Sequence, residues 1–187
     1  MSTPRRKVLK ALEFISQRHP QKTTQSNSPG AQTRQNFCDL GSGDGEAVLA
    51  AAEAGWTATG IEMNPTLWLI SQIRRLWSTA EVRKRSRFVL GDMFQHNIRS
   101  ADAVMIFGVK PLMPRIANKI STECKVGTCV MSYRFRIPVV GNACGNDRNF
   151  NNSSEEKEGK LHAEMVYDEE EMRVWQVTTT DSEPPHD

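Results

Sequence analysis

The sequence predicts an α/β protein with a doubly wound sheet of about seven strands, mostly parallel with a C-terminal antiparallel strand pair. Three observations predict this fold. From residue 36 onward, short apolar runs alternate with helical patterns, which is typical of β-α-β units. A loop with glycines at positions 41, 43 and 45 follows the first apolar run. Near the C-terminus, two strand-like runs flank the acidic turn Asp168-Glu169-Glu170-Glu171, which indicates a hairpin.

The strands are predicted where short runs rich in apolar and β-branched residues are bounded by polar residues or glycine. Five of these runs lie in the alternating part of the chain and two lie after it. The predicted strands are 36–40, 57–62, 87–91, 103–107, 128–133, 162–167 and 172–179.

The first two predicted helices differ in composition. Residues 5–18 place Val8, Leu9, Leu12 and Ile15 on one stripe, so we expect an amphipathic helix there. Residues 45–54 are rich in alanine and end before a glycine. A later helix is expected over much of 111–124, with a proline near its start.

The third helix has the clearest boundary signals. Asn64 is predicted to cap it and Pro65 lies in its first turn. Apolar residues then repeat with helical period, and we predict that the tryptophans of this helix are core or interface residues. The repeating positions are Leu69, Ile70, Ile73, Leu76 and Trp77.

Composition divides the chain into four segments. Residues 1–35 comprise the amphipathic helix and a polar linker, and 36–138 form the α/β core. Residues 139–160 are dominated by Asn, Gly, Ser and charge, so we expect a flexible polar loop. Residues 161–187 contain the β-hairpin and an acidic tail.

Length and apolar patterning exclude several classes of protein. With 187 residues and 38% hydrophobic content, the chain can bury one core. Its apolar stretches are far shorter than the ~20 residues that a membrane-spanning helix needs, so we expect no span and a soluble chain. The four cysteines form no Cys-x-x-Cys pair and have no nearby histidine, so we expect reduced thiols of an intracellular protein and no metal site.

The two ends of the chain carry opposite charge. Residues 1–36 have a net charge of +6 and residues 155–187 a net charge of −8. This layout is typical of solvated termini, and it is also able to steer charged partners. The arginine-rich start further resembles a mitochondrial presequence in composition, so targeting and packing both remain open as its role.

The glycine loop after the first strand predicts a ligand site. Its sequence is Asp39-Leu40-Gly41-Ser42-Gly43-Asp44-Gly45, and the missing side chains let the backbone turn sharply and approach a ligand. A dinucleotide site has a third glycine where this chain has Glu46, and no Gly-x4-Gly-Lys-Ser/Thr phosphate loop is present. A nicotinamide, flavin or nucleoside triphosphate site is therefore not predicted.

Two further carboxylates lie at the ends of the following strands. Glu62 ends the second strand, where a carboxylate can accept hydrogen bonds from both hydroxyls of a ribose. Asp92 ends the third strand, in Gly91-Asp92-Met93. Helix capping by Asp44 and turn formation by Gly91-Asp92 are the structural alternatives. Because the carboxyl ends of parallel strands share one edge of the sheet, we expect these groups to meet at one site.

Four runs in the chain carry a resemblance to a known family. They are the glycine loop, Gly60-Ile61-Glu62-Met63-Asn64-Pro65, Val104-Met105-Ile106-Phe107-Gly108-Val109 and Tyr133-Arg134-Phe135-Arg136-Ile137-Pro138. Together they resemble class I S-adenosylmethionine-dependent methyltransferases. Over about residues 3–138 the chain is similar to the mitochondrial protein-lysine methyltransferases that modify adenine nucleotide translocase and the ATP synthase c-subunit. The family usually has a basic residue where this chain has Glu46.

The resemblance implies a Rossmann-like fold, S-adenosyl-L-methionine as cofactor and the core as its binding domain. It implies a protein-lysine methyltransferase of the mitochondrion, with the cytoplasm as the alternative location, acting on a protein with an accessible lysine. We also expect a monomer and no nucleic-acid partner. The cofactor-binding residues expected from the loop, the strand ends and the resemblance are Asp39, Gly41, Ser42, Gly43, Asp44, Gly45, Glu62, Met63, Asp92, Met93 and Phe107.

The candidates for the substrate channel are aromatic residues near two strand ends. Phe107, Tyr133 and Phe135 are able to surround a lysine side chain through cation–π contact, and core packing is the alternative for each. Arg134 either holds an acidic group of the substrate or pairs with a neighbouring carboxylate. No general base is assigned. A small-molecule or RNA methyltransferase, and an inactive cofactor-binding module, remain the alternative functions.

Overall fold

The computed structural model describes residues 5–18, 34–107, 110–134, 136–139, 161–169 and 171–179. Within these residues seven strands form one sheet. The strands are β1 (Asn36–Leu40), β2 (Thr57–Glu62), β3 (Ser86–Leu90), β4 (Ala103–Ile106), β5 (Cys129–Tyr133), β6 (His162–Glu169) and β7 (Met172–Thr179).

The strand order across the sheet is β3-β2-β1-β4-β5-β7-β6. Strands β1 to β5 run parallel to one another. Strand β7 is antiparallel to both of its neighbours, β5 and β6. This is a Rossmann-like sheet with an antiparallel pair added at one side, so the predicted fold class is confirmed. The order in which strands are added to the sheet reverses between β1 and β4. Open α/β sheets bind ligands at such a switch point.

Five helices lie among the described residues, together with a short 3-10 turn at Lys110–Leu112. The short helix at residues 80–85 was not predicted from the sequence, because its polar composition gives no apolar period. The helices are α1 (Arg5–Arg18), α2 (Glu46–Glu53), α3 (Pro65–Leu76), α4 (Ala80–Arg85) and α5 (Met113–Glu123). None of the helices that the structure describes is long and apolar enough to cross a membrane.

Two apolar cores lie on opposite faces of the sheet. Alternate residues of a strand enter different cores, as Met105 and Ile106 of β4 do. The first core is covered by α1 and α2, and α1 contributes Val8, Leu12 and Ile15 as predicted, with Leu9 half-buried. The second core is covered by α5.

Helix α3 confirms its predicted cap, and its two tryptophans lie in different environments. Asn64 caps the helix, because its side chain accepts hydrogen bonds from the N–H groups of Thr66 and Leu67. Trp68 is partly buried and packs against the first core, as one of its two predicted roles requires. Trp77 is 84% exposed and is not a core residue. Ser71 is the one buried residue of the helix, and all five residues of the apolar stripe are exposed.

Several boundaries differ from those predicted. Strand β6 extends to Glu169, so the hairpin turn is shorter than the four acidic residues suggested. Strand β4 ends at Ile106 and leaves Phe107 beyond the sheet. The expected polar linker before residue 34 and the expected loop at 140–160 lie outside the described residues.

Candidate functional site

The glycine loop folds over the end of the neighbouring strand. The backbone N–H groups of Gly41 and Ser42 both donate to the carbonyl of Ile61, each at 2.9 Å. Gly41, Gly43 and Gly45 have φ angles of 87°, 54° and 82°. These left-handed conformations strain any residue with a side chain, so the loop needs glycine at these three positions.

A fourth glycine, Gly60, is needed because β2 and the glycine loop lie very close together, a role that the sequence did not indicate. A Cβ on Gly60 of β2 would lie 2.7 Å from Cβ of Ser42 and 2.8 Å from Cγ2 of Val48. Such distances are far shorter than van der Waals contact. Gly60 therefore lets the loop and the start of α2 lie directly against β2.

Glu62 ties the loop to the end of β2. One carboxylate oxygen accepts a hydrogen bond from the backbone N–H of Gly43, and the other accepts one from the N–H of Asn64, both at 2.8 Å. Each carboxylate oxygen has a further lone pair, so the group is still able to accept hydrogen bonds from a ligand. The half-buried side chain thus fixes the loop and faces the site at once.

Arg74 of α3 pairs with two carboxylates at the end of the glycine loop and the start of α2. Its guanidinium donates to Oδ2 of Asp44 at 2.5 Å and to Oε2 of Glu46 at 2.7 Å. The suggested helix cap by Asp44 is wrong, because Gly45 occupies the N-cap position of α2 and no side chain caps it. The hydrogen bond that Arg74 donates to Glu46 is the largest contribution that raises the pKa of Arg74. Sequence reasoning missed Arg74, since nothing in its local pattern indicates a partner 28 residues away.

Asp39 is a buried carboxyl group beside this loop. It is the next-to-last residue of β1 and is 4% exposed. Burial, followed by the nearby charges of Glu62 and Asp44, raises the pKa of Asp39 to about 7. A buried carboxyl group in this state holds a proton more readily than an ordinary aspartate, and a nearby cation would favour its ionised form.

A cavity of about 330 Å³ lies between the loop, the end of β2 and the start of α3. This volume is in the range of small-molecule and cofactor sites. Four carboxyl groups lie in its lining, and Arg74 pairs with two of them, Asp44 and Glu46. The acidic groups still outnumber this one cation, so the cavity is suited to a ligand with positive charge. The lining residues are Asp39, Gly41, Ser42, Gly43, Asp44, Glu46, Ala47, Glu62, Leu67 and Phe107.

Seven of the eleven predicted cofactor-binding residues lie in this lining, all of them from the glycine loop except Glu62 and Phe107. The other four, Gly45, Met63, Asp92 and Met93, lie outside it. A Cβ on Gly45 would lie 2.5 Å from the ring of Phe88, so this glycine permits close packing. Met63 is 74% exposed.

Asp92 forms the turn that was its structural alternative. Its side chain accepts a hydrogen bond from the N–H of Phe94 at 2.9 Å. Met93 is partly buried and packs against the second core. Three lining residues were not predicted: Glu46, Ala47 and Leu67. They begin α2 and α3, and the fact that both helices start at the ligand-binding edge was the signal available in the sequence.

Two predicted channel aromatics lie side by side at the cavity. Phe107 lines the cavity and stacks on Tyr133, with ring centroids 5.6 Å apart. Tyr133 is buried, and the Lys7 ammonium of α1 lies 5.2 Å from the centroid of its ring. Phe135, Gly108 and Val109 lie outside the described residues.

Arg134 adopts the second of its two suggested roles. Its Nε lies 3.5 Å from Oε2 of Glu171, and its backbone N–H donates to the Glu171 carbonyl at 2.9 Å. Arg134 has a φ of 68°, a left-handed conformation that a non-glycine residue rarely adopts. A hydrogen bond from Tyr133 lowers the pKa of Glu171, so this carboxylate joins the aromatic pair to the β6–β7 hairpin.

Comparisons with known proteins agree with this geometry. The family model of the ANTKMT methyltransferase domain matches residues 39–143. The ATP synthase c-subunit lysine N-methyltransferase of Rattus norvegicus is 39% identical over 101 residues, which are 54% of this chain and 45% of that protein. The adenine nucleotide translocase lysine N-methyltransferase of Mus musculus is 34% identical over 101 residues, 54% of this chain and 43% of that protein.

The chain spans less than half the length of these two curated relatives. A structural neighbour covers more of it: the crystal structure of an RNA methyltransferase from Salinibacter ruber in complex with S-adenosyl-L-homocysteine. That structure has a TM-score of 0.65 and 24% sequence identity, covering 100% of this chain and 98% of its own. At this identity the likeness shows a shared fold.

Proposed function

Because the chain belongs to the family of the ANTKMT methyltransferase domain, whose model matches residues 39–143, we propose that it transfers a methyl group from S-adenosyl-L-methionine to a lysine side chain of a protein. The observation that supports this proposal most directly is the acidic cavity beneath the glycine loop. The relatives named above are lysine N-methyltransferases, and their names supply the class of substrate.

The residues around the cavity fit S-adenosylmethionine. Ser42 Oγ is buried and has no hydrogen-bond partner among the described residues, and it lines the cavity. A buried hydroxyl of this kind is expected to gain a partner from a bound ligand. Cβ positions on Gly41 and Gly43 would meet no atom within 4 Å, so open space adjoins the backbone there.

We assign the ribose and the positively charged part of the cofactor to three carboxyl groups of the cavity. Glu62 would accept hydrogen bonds from the ribose hydroxyls with the lone pairs that Gly43 and Asn64 leave free. Asp39 and Asp44 would face the positively charged part of the molecule, and this charge would favour the ionised form of Asp39. The cofactor supplies an electrophilic methyl group on a sulfonium.

The protein's own contribution to the reaction is positioning. Methyl transfer is an in-line displacement, so a fixed geometry and exclusion of water supply most of the rate. Phe107 lies in the lining and Tyr133 stacks on it, so this aromatic pair would guide the alkyl chain of the lysine. The Arg134–Glu171 pair holds Tyr133 in place and is not free to bind a substrate.

The amine must lose its proton before it attacks. With an ordinary lysine pKa of ~10.4, presenting the neutral amine near pH 7.5 costs about 4 kcal/mol. Desolvation in the cavity beside a sulfonium would offset part of this cost, because both favour the neutral amine. No side chain of the described residues is assigned as general base.

We further propose that the chain acts in the mitochondrion, as the family resemblance implies, and that it acts as a monomer. The test of the central proposal is incubation of the purified chain with S-adenosylmethionine labelled on its methyl group and an organelle extract. Label in protein, recovered on lysine side chains, is the expected result. Label confined to RNA or to small molecules, or no incorporation despite cofactor binding, would contradict the proposal.

A further inference from the structure

An apolar surface on α3 is turned away from both cores. Leu69, Leu76 and Trp77 are 54%, 64% and 84% exposed, respectively. Ile70 and Ile73 lie on the same stripe of the helix and are also exposed. We call these five residues the α3 face. Contiguous exposed apolar patches mark sites of contact with other proteins, membranes or ligands.

Polar contacts on the inner side of α3 fix this orientation. Trp68 Nε1 donates to the carbonyl of Phe88 at 3.4 Å. The Arg75 guanidinium donates to the carbonyls of Ser86 and Arg83 at 2.9 Å and 2.7 Å. Rotation of the helix to bury its apolar stripe would break these hydrogen bonds and the pairing of Arg74 with the loop. The α3 face therefore remains exposed to solvent as long as these hydrogen bonds and the Arg74 ion pairs are intact.

Basic residues surround the C-terminal end of the α3 face. The segment 74–87 contains six basic residues and a single acid, Glu81. Lys84 and Arg87 are exposed, and Lys84 makes a surface ion pair of 3.4 Å with Glu81. The segment has a net charge of +5, which falls to +3 when Asp44 and Glu46, the partners of Arg74, are included. This remaining positive charge attracts negatively charged surfaces.

We propose that the α3 face docks onto an anionic lipid surface. Leucine, isoleucine and tryptophan side chains insert at the boundary between headgroups and acyl chains, and flanking lysine and arginine residues contact anionic headgroups. A second copy of the chain is a poorer occupant, because a symmetric contact through this face would bring two basic segments together. The charge and the apolar stripe together fit a lipid surface without a further partner.

This docking has a consequence for the site that depends on the proposed function. Leu67 lines the cavity and precedes Ile70 by three residues, so the two lie on neighbouring positions of the same helix. The α3 face therefore begins beside the cavity and runs about 10–15 Å along the helix to Trp77. Docking through it would hold the cavity close to the lipid surface, where the substrate would be a lysine near the membrane.

The experiment is co-sedimentation of the full chain with vesicles. Vesicles of phosphatidylcholine alone are compared with vesicles that also contain phosphatidylglycerol. We expect binding to the anionic vesicles, weakened at high salt, and a blue shift of tryptophan fluorescence. The double variant Leu76→Ser, Trp77→Ser should reduce the partition coefficient about tenfold or more, and should lose most of the fluorescence shift.

Two further variants separate apolar from electrostatic contributions. Lys84→Gln combined with Arg87→Gln should reduce partitioning to anionic vesicles about tenfold or more, since each charge contributes roughly fivefold, and should change partitioning to neutral vesicles little. Val126→Ser is the matched control, because Val126 is 47% exposed on a different element. This variant should bind vesicles as the parent chain does.

Binding of S-adenosylhomocysteine is measured on the same variants by calorimetry. Unchanged affinity shows that the fold and the site are intact, and this readout stands whether or not the vesicles bind. Equal vesicle binding by the parent chain and the Leu76, Trp77 variant would overturn the inference. So would absence of binding to anionic vesicles, or a dimer that the same variant dissociates.

Discussion

The Glu62 carboxylate accepts a hydrogen bond from the backbone N–H of Gly43 at 2.8 Å, across the gap between β2 and the glycine loop. The same side chain lines the cavity. One group therefore holds the loop in shape and presents acceptors to a ligand. This double role makes Glu62 the most informative position at which to test the site.

We expect Glu62→Ala to weaken binding of S-adenosylhomocysteine by about 2 kcal/mol or more, because two backbone N–H groups and the ligand lose a charged acceptor. Glu62→Gln should lose less, since its amide oxygen keeps one acceptor. Calorimetry measures both affinities, and circular dichroism checks the fold. Glu164→Ala, a change of an exposed glutamate on β6, is the control. Equal affinity in Glu62→Ala and the parent chain would mean that the ligand lies elsewhere.

A second prediction compares two glycines at the same edge of the sheet. Gly60→Ala should lower stability by about 1–3 kcal/mol, because the new Cβ would overlap Ser42 and Val48. Gly91→Ala should stay within roughly 0.5 kcal/mol, since its Cβ would meet no atom within 4 Å. Thermal denaturation of both variants measures the difference. Similar melting temperatures would show that the loop does not depend on close contact with β2.

The strand pattern and the glycine loop were predictable from the sequence because both depend on local composition. Buried runs such as 103–106 alternate their residues between two cores, and the glycines at 41 and 43 follow from backbone geometry. The family resemblance added the cofactor and the class of reaction. All of these signals lie within short stretches of chain.

Features that depend on tertiary contacts were not predictable. The period of α3 gave the correct helix but not which of its residues are buried, because periodicity shows which residues share a face and not what that face contacts. The contact of Arg74 with Asp44 joins residues 30 positions apart. Asp92 and Gly45 were predicted to bind the cofactor because of their positions in the sequence. In the structure, the Asp92 side chain forms a turn by accepting a hydrogen bond from Phe94, and Gly45 packs against the Phe88 ring.

The Arg74 clamp leads to a third prediction. Arg74→Ala removes the guanidinium that Asp44 and Glu46 share and leaves two carboxylates close together at the loop. We expect a loss of about 1–2 kcal/mol in stability, because these groups are partly exposed. Arg74→Lys should recover only part of it, since an ammonium cannot bridge both carboxylates in the planar geometry of a guanidinium. Urea denaturation measures both variants, and full recovery by lysine would argue against the bidentate contact.

Asp39 gives a prediction for stability against pH. Its pKa rises from 3.8 in the unfolded chain to about 7 in the folded chain, chiefly because of burial. The folded state therefore binds the proton more tightly, and this contribution to stability is full below pH ~4 and is lost as pH rises to about 7. Asp39→Asn should remove this slope. Denaturation curves between pH 4 and 8 measure it, and an unchanged slope in the variant would exclude Asp39 as its source.

The same group links pH to cofactor binding. A cationic ligand near Asp39 favours the ionised carboxylate, so affinity for S-adenosylmethionine should rise as pH increases through about 7. Below that pH, binding should release a proton. Calorimetry in two buffers of different ionisation enthalpy measures the release, which should disappear in Asp39→Asn. Uptake of a proton by the parent chain would place the positive charge away from this group.

The last prediction concerns the lysine substrate. The amine must be neutral to attack, so the rate at saturating cofactor should rise about tenfold per pH unit between about 7 and 9, until another step limits it. We do not expect Asp39 to produce this rise, because a bound cationic cofactor favours its ionised form and its own pKa of about 7 lies at the lower limit of the range. Stopped-time assays with a labelled methyl group measure the profile, and mass spectrometry of the product locates the methyl groups. A flat profile together with methyl groups on an oxygen or a ring nitrogen would show that the substrate is not a lysine amine. A rising profile with mono-, di- or trimethyllysine in the product would support the assignment and give the degree of methylation.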